Sequence, residues 1–250
     1  MSDDLSKMNP GDRYDDLTDL IDRMTGDEKH EVSAHSTLDV LWVLYDSVLR
    51  VNPAALEDPV RDRLVVSKGH GPMALYAVLA AKGMVDIDEL ASYGRYDSPF
   101  GWHPDRLRIG AVEVSSGSLG HGLAIAIGVA HGLRVSGIAS PRVFCLLGDG
   151  ELDEGSVHEA IALGGRLRLD NLTAVVIDNE SATHGWPGGI ASRFEVEGWR
   201  GVTVDGRDHQ QLSNALNGDP PLHGGTPRVV VCELARGGIH QSGTDGFREP

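Results

Sequence analysis

Short apolar runs that end in glycine and polar turns set the rhythm of this chain. Val143 to Leu147 is one such run, and it stops at Gly148-Asp149-Gly150. An acidic, helix-compatible segment follows from Glu151 to about Leu167, and a second apolar run, Thr173 to Ile177, stops at Asp178-Asn179. Runs of this length bounded by turn residues read as strands, and the segment between them as a helix. A crossover of this kind returns the chain in the same direction, so the two strands are parallel neighbours. Their polar ends then share one edge of the sheet. Ligands of parallel sheets sit outside the carboxyl ends of the strands. Asp149 and Asn179 are therefore expected to meet over one site.

The rest of the pattern extends the same architecture. Leu17, Leu20, Ile21 and Met24 mark one face of a helix from Tyr14 to Met24. Leu38, Leu41, Tyr45 and Val48 mark a second, from about Thr37 to Leu49, with Lys29 to Ser33 in the loop between. Leu64 to Ser67 reads as a strand, Gly69-His70-Gly71 as a turn, and Pro72 to Lys82 as a helix. Leu90 to Trp102 reads as loop. The next helix carries Gly120, Gly122, Gly128 and Gly132, which suggests close packing because glycine in a helix costs stability. A helix ending in Gly198-Trp199, a strand over Val202 to Val204, a turn over 205–208, a Gly/Pro-rich loop over 215–226 and a strand over Arg228 to Leu234 complete the chain. The expected class is α/β: three layers, α/β/α, around a mostly parallel central sheet. Residues 13–240 form one domain, with a flexible N-terminus over 1–12 and a flexible tail over 241–250.

Composition narrows the function. The 250 residues carry a net charge of −15, which argues against nucleic acid and anionic membranes as partners. Cys145 and Cys232 lie inside apolar runs and read as buried thiols. No apolar run approaches membrane-spanning length and the N-terminus is acidic, so a soluble, cytoplasmic protein is expected.

One carboxylate and one amide oxygen are hard ligands that suit Mg²⁺ or Ca²⁺. Mg²⁺ takes few protein ligands and completes its shell with water and phosphate oxygens. Gly148 and Gly150 let a backbone approach closely, and the helix after them offers its positive end to an anion. This chemistry reads as a metal-bridged diphosphate site.

The words GDGELDEGSVHEA and LDNLTAVVIDN resemble the diphosphate-binding motif of thiamine-diphosphate enzymes in its transketolase form. The resemblance runs over roughly residues 30 to 240, at several motifs in order. It implies a thiamine-diphosphate-binding fold with thiamine diphosphate and Mg²⁺ as cofactors. Asp149, Asn179 and the backbone carbonyl of Ser181 would hold the metal, and Gly148 and Gly150 would lie along the diphosphate. Glu154 matches a family glutamate near the subunit interface. Ser67-Lys68-Gly69-His70 resembles a motif whose histidine faces the cofactor. Gly117, Ser118 and Leu119 match a turn that contacts the thiamine, and His103 matches a second active-site histidine. His30 falls on a further family histidine, although Lys29-His30-Glu31-Val32-Ser33 lacks the glycines usual there. Trp102 likewise replaces a glycine before His103. His184 stands where the family often has Asp, and Arg236-Gly237-Gly238 resembles a Lys-Gly-x-Gly turn.

The resemblance covers only the diphosphate-binding half of a transketolase. It implies the N-terminal subunit of a split enzyme, completed by a C-terminal transketolase subunit whose pyrimidine-binding domain supplies the catalytic glutamate, in an α₂β₂ assembly. The implied reaction moves a two-carbon ketol unit from a ketose or 2-oxo donor to an aldehyde, with His30, His70 and His103 handling protons. Two alternatives remain: a thiamine-diphosphate-dependent decarboxylase or acyloin-forming synthase subunit, and a non-catalytic cofactor-binding subunit.

Overall fold

A computed structural model describes residues 13–25, 28–182, 185–218 and 225–234, with side chains omitted over 28–33. Its centre is a five-stranded sheet: β1 (Arg63–Val66), β2 (Val143–Gly148), β3 (Leu172–Asp178), β4 (Arg200–Asp205) and β5 (Arg228–Glu233), in the order β1-β2-β3-β5-β4. Every pairing among the described residues is parallel, in line with the mostly parallel sheet expected. All strand tips of one polarity therefore lie on one edge. In register, Gly148 pairs with Ile177, which brings Asp149 level with the end of β3.

Alternation along each strand splits the core into two layers. Leu64, Phe144, Leu146, Val175, Ile177, Val230 and Cys232 face one side. There they meet α1 (Leu17–Asp22), α2 (Glu28–Val43), α3 (Pro72–Ala81) and α7 (His209–Asn217). Val65, Cys145, Leu147, Ala174, Val176, Val229 and Val231 face the other side, against α4 (Gly122–Val135), α5 (Gly155–Leu167) and α6 (Gly189–Glu195). The three layers of the sequence-based expectation are present. Cys145 and Cys232 are buried free thiols on opposite faces of the sheet, and burial pushes both upward, Cys232 to about 12. Helix α3 is buried from Pro72 through Ala80, as its unbroken apolar sequence requires.

Several boundaries differ from expectation. The predicted loop over 29–33 is absent: α2 begins at Glu28 and runs unbroken to Val43, then widens into a π turn over Leu44–Val48. The segment contains neither glycine nor proline, so nothing interrupts helical hydrogen bonding. Gly120 precedes α4 rather than lying in it, at φ +84°. Residues Asp149–Asp153 form a 3-10 turn, and α5 proper starts at Gly155, not at Glu151. Residues 215–217, expected as loop, close α7, a helix the apolar pattern did not announce. Its start is capped by Asp208, whose Oδ1 accepts the amides of Gln210 at 2.9 Å and Gln211 at 3.0 Å. His184, the residues 1–12, Arg236-Gly237-Gly238 and the tail 241–250 lie outside the described residues. No helix among the described residues is long and apolar enough to cross a membrane.

Candidate functional site

The site forms where the carboxyl tips of β1, β2 and β3 meet. Asp149 leaves β2 in a buried position, 1% exposed. Its carboxylate accepts the backbone amide of Gly150 at 2.9 Å and, from the loop after β3, the amides of Ser181 at 2.6 Å and Ala182 at 3.1 Å. The Ser181 hydroxyl donates to it at 2.5 Å. Glu180 makes this possible by adopting a left-handed φ of +56°, an uncommon conformation for a side-chain-bearing residue. The two strand tips predicted to converge thus do so. Asn179 sits half-buried at the root of the same loop. A Cβ on Gly150 would lie 3.4 Å from the Ser181 hydroxyl and 3.5 Å from its carbonyl oxygen, so that carbonyl stands beside the turn.

A second acid sharpens the local charge. Asp178, the last residue of β3, is half-buried, and burial followed by the charge of Asp149 pushes its carboxyl above the ordinary range. The Gly150, Ser181 and Ala182 groups that donate to Asp149 are all neutral. Two carboxyl groups therefore share a tip without a described ion pair. Carboxylate, amide and carbonyl oxygens at such a tip form a hard set, and they fit a divalent cation such as Mg²⁺. The glycine-lined cradle beside them fits an anion held through that cation.

Lys68, which follows β1, lies across Gly148: a Cβ there would meet its stem at 3.6 Å. Its ammonium donates to Ser36 at 2.9 Å and Thr37 at 2.6 Å on α2. Burial lowers this lysine to about 8, partly offset by the charge of Asp149. Lys68 thus ties the helix that bears His30 to the Gly-Asp-Gly turn. The side chain of His30 itself lies outside the described residues.

His70 and His103 come together as expected, with ring centroids 6.4 Å apart at 30°. His103 Nδ1 lies 2.8 Å from the Gly69 carbonyl oxygen. A carbonyl only accepts, so Nδ1 carries the proton and Nε2 is the acceptor of the neutral ring. Gly117 makes room for that ring. It sits at φ +138°, and a Cβ there would come within 2.9 Å of His103 Cγ. Leu119 approaches Gly69 closely: a Cβ on that glycine would lie 3.1 Å from Leu119 Cδ2. Ser118 and Leu119 are both exposed in the turn beside the two rings. Trp102 is 59% exposed, and its Nε1 packs near Gly94.

Beneath these residues runs a buried girdle that the sequence did not announce. Glu151 is 2% exposed, and its Oε1 accepts the Gly120 amide at 2.8 Å and the Ser67 hydroxyl. Ser67 Oγ in turn accepts the Gly122 amide at 2.9 Å. Burial pushes Glu151 above the ordinary range, and its Oε2 is buried without a partner among the described residues. The girdle locks the Gly117–Gly122 turn to the tips of β1 and β2. Only the acid directly after Gly-Asp-Gly could have flagged it. Glu154 lies at the head of α5, exposed, with its Cβ 2.9 Å from where one on Gly120 would stand.

Comparison with known proteins points to one family. Residues 18–237 match the family model described as transketolase, thiamine diphosphate binding domain. The chain is 53% identical over 223 residues to the protein named ferredoxin fas2 of Rhodococcoides fascians, covering 89% of this chain and 72% of that one. It is 34% identical to a Phocaeicola vulgatus protein named as one of the subunits of apulose-4-phosphate transketolase, covering 71% of this chain and 64% of that one. The crystal structure of transketolase from Campylobacter jejuni superposes with a TM-score of 0.69 at 25% identity, covering 93% of this chain. This chain spans 39% of that structure's length.

Proposed function

This chain belongs to the transketolase family, and on that premise we propose that it is the cofactor-binding subunit of a two-component transketolase dependent on thiamine diphosphate and Mg²⁺. The reaction is the transfer of a two-carbon ketol unit from a ketose or 2-oxo donor to an aldehyde. Thiamine diphosphate, when bound, would supply the electron sink for this transfer. The remaining roles fall to groups of this chain and of its partner. Asp149, Asn179 and the Ser181 carbonyl would hold Mg²⁺, and Gly148 and Gly150 would leave room for the diphosphate. His70 and His103 face the reacting end, beside Gly117, Ser118 and Leu119. The His103 ring, fixed by Gly69, presents Nε2 to the donor's oxygen and exchanges a proton there. By the family resemblance His30, on α2, would be a third such histidine. Glu154 lies on the surface toward the partner.

The observation that carries this reading is the grip of Asp149 on the loop after β3, which brings both strand tips to one point. The C-terminal partner would contribute the pyrimidine-binding domain and its glutamate, in an α₂β₂ complex located in the cytoplasm. Relatives named as individual subunits of transketolases support a separate partner chain.

Calorimetry on the co-purified pair tests the proposal. Asp149→Ala should weaken Mg²⁺-dependent thiamine diphosphate binding by more than about 100-fold, beyond the effect of losing an outer-shell residue. Unchanged binding would refute it. A second reading, a decarboxylase or acyloin-forming synthase acting on 2-oxo acids, draws support from Trp102, an exposed residue that directly precedes His103 where the family has glycine. A donor screen of ketose phosphates against pyruvate separates the two. The name ferredoxin belongs to the Rhodococcoides relative. A cluster held by cysteine thiolates takes more cysteines than the two in this chain, which are buried on opposite sheet faces.

A further inference from the structure

The orientation of His103 is set by two backbone segments. Its Nδ1 donates to the Gly69 carbonyl at 2.8 Å, in the loop after β1. Its ring packs against Gly117, where a Cβ would come within 2.9 Å of Cγ. The two glycines also approach each other: a Cβ on Gly69 would lie 2.8 Å from the Gly117 carbonyl oxygen. The direction in which Nε2 points therefore depends on how far apart the 67–70 and 117–122 segments are held.

One buried carboxyl sets that spacing. Glu151 and Ser67 are each 2% exposed. Glu151 Oε1 accepts the Ser67 hydroxyl, two residues before Gly69, and the Gly120 amide at 2.8 Å, three residues after Gly117. Ser67 Oγ accepts the Gly122 amide at 2.9 Å, and a Cβ on Gly122 would overlap the Ser67 side chain. The Gly120 carbonyl is held too, by the Ser156 hydroxyl of α5 at 2.9 Å. The Ser67 amide stays on β2, 2.8 Å from the Leu146 carbonyl. Each segment is thus anchored two or three residues from the glycine that touches the ring. Burying a carboxyl costs desolvation that an apolar side chain would avoid. In return, donors from two separate segments converge on one oxygen, and hydrogen-bond geometry fixes the distance between them.

We propose that Glu151 and Ser67 are positioning residues that aim His103 Nε2 for its proton exchange, acting through the backbones of Gly69 and Gly117. Their effect on turnover rests on the transketolase reading; their effect on the ring does not. Two readouts keep these apart. In the full chain, NMR of labelled histidine follows the His103 imidazole, assigned with His103→Gln. Glu151→Leu and Ser67→Ala should both move that resonance. Glu151→Gln keeps an accepting oxygen and should leave it in place. In the assembled pair, kcat at saturating cofactor and donor should fall about tenfold or more in Glu151→Leu and Ser67→Ala, because small displacements of a reacting group carry losses of that order. Glu151→Gln should keep kcat close to the native value. Ser67 lies outside the 149–153 turn, so its loss reports on the spacing and not on the metal end. Differential scanning calorimetry checks that each variant is folded at the assay temperature. An unmoved His103 resonance in folded Glu151→Leu and Ser67→Ala overturns the assignment, and so does Glu151→Gln behaving like Glu151→Leu. If neither of the two loss variants folds, the girdle is framework alone and the assignment falls. A pair that turns over no ketose or 2-oxo donor defeats the reaction reading, while the resonance still decides the positioning role.

Discussion

The two ends of the sheet each bury a carboxylate and treat it in opposite ways. On the amino-terminal edge Asp62 is gripped by two guanidinium groups, and their hydrogen bonds outweigh burial to hold its carboxyl below the ordinary range. On the carboxyl edge the described hydrogen bonds to Asp149 come from neutral amides and a hydroxyl, with Lys68 near by, and Glu151 keeps one oxygen without a described partner. A buried charge compensated by its own chain is part of the framework. A buried charge hydrogen-bonded by dipoles rather than by guanidinium groups has capacity left for a cation from outside.

The largest effect that could break this contrast is on stability. Asp62→Ala should cost about 3 kcal/mol, the low end for breaking a buried pair because both arginines reach solvent. Urea titration measures it. Asp149→Ala should cost clearly less in the same assay, about 1 kcal/mol, while abolishing cofactor binding. Equal losses would erase the distinction between framework and site. Next in size, Ser67→Ala removes the hydroxyl shared by Glu151 and the Gly122 amide. It should destabilise the chain by about 2 kcal/mol, the cost of an unsatisfied buried partner. Gly117→Ala should cost about 1 kcal/mol in backbone strain and displace His103. Its signature is a shifted His103 imidazole resonance and a lower kcat in the assembled enzyme.

The smallest effect has opposite signs at the two edges. Asp62 has a lowered folded value, so its stabilisation is present above the unfolded value and is lost as pH falls through the folded one. Glu151 has a raised folded value, so the native state holds its proton more tightly. Its penalty therefore grows as pH rises from the ordinary glutamate value through the raised one. At neutral pH Asp62→Asn should be less stable than the native chain, and Glu151→Gln more stable. Both gaps should narrow on acidification to about pH 4 and below. Two gaps of the same sign would remove the contrast.

Much of this was legible in the sequence because the decisive elements are self-contained. The runs over 143–147 and 173–177 are unbroken apolar strands, and a parallel crossover fixes which ends coincide. That sufficed to place Asp149 with the loop after Asn179. His70, His103 and Gly117 were found by likeness to a family and then proved to be neighbours. Other features depend on partners distant in sequence. Helix α7 buries only Leu212 and Leu216, too few to betray a helical face, and its clearest signal was the capping Asp208 with Gln211 three residues on. The segment over 29–33 was expected as loop by analogy, although its residues favour continued helix. Glu151, Ser67 and Asp178 carry no periodic signature. Their roles arise only when three strand tips meet.

The strand order has a consequence for biosynthesis. Of the five strands, β5 is made last, yet it is wedged between β3 and β4 and is the described hydrogen-bonding partner of both. As the chain leaves the ribosome, β4 emerges with no neighbour to accept it and must wait until residues 228–233 follow. A nonsense codon between Asp205 and Arg228 would thus strand a completed β4 in water rather than merely trim the protein. Closure of the sheet is deferred until its fifth member has been translated.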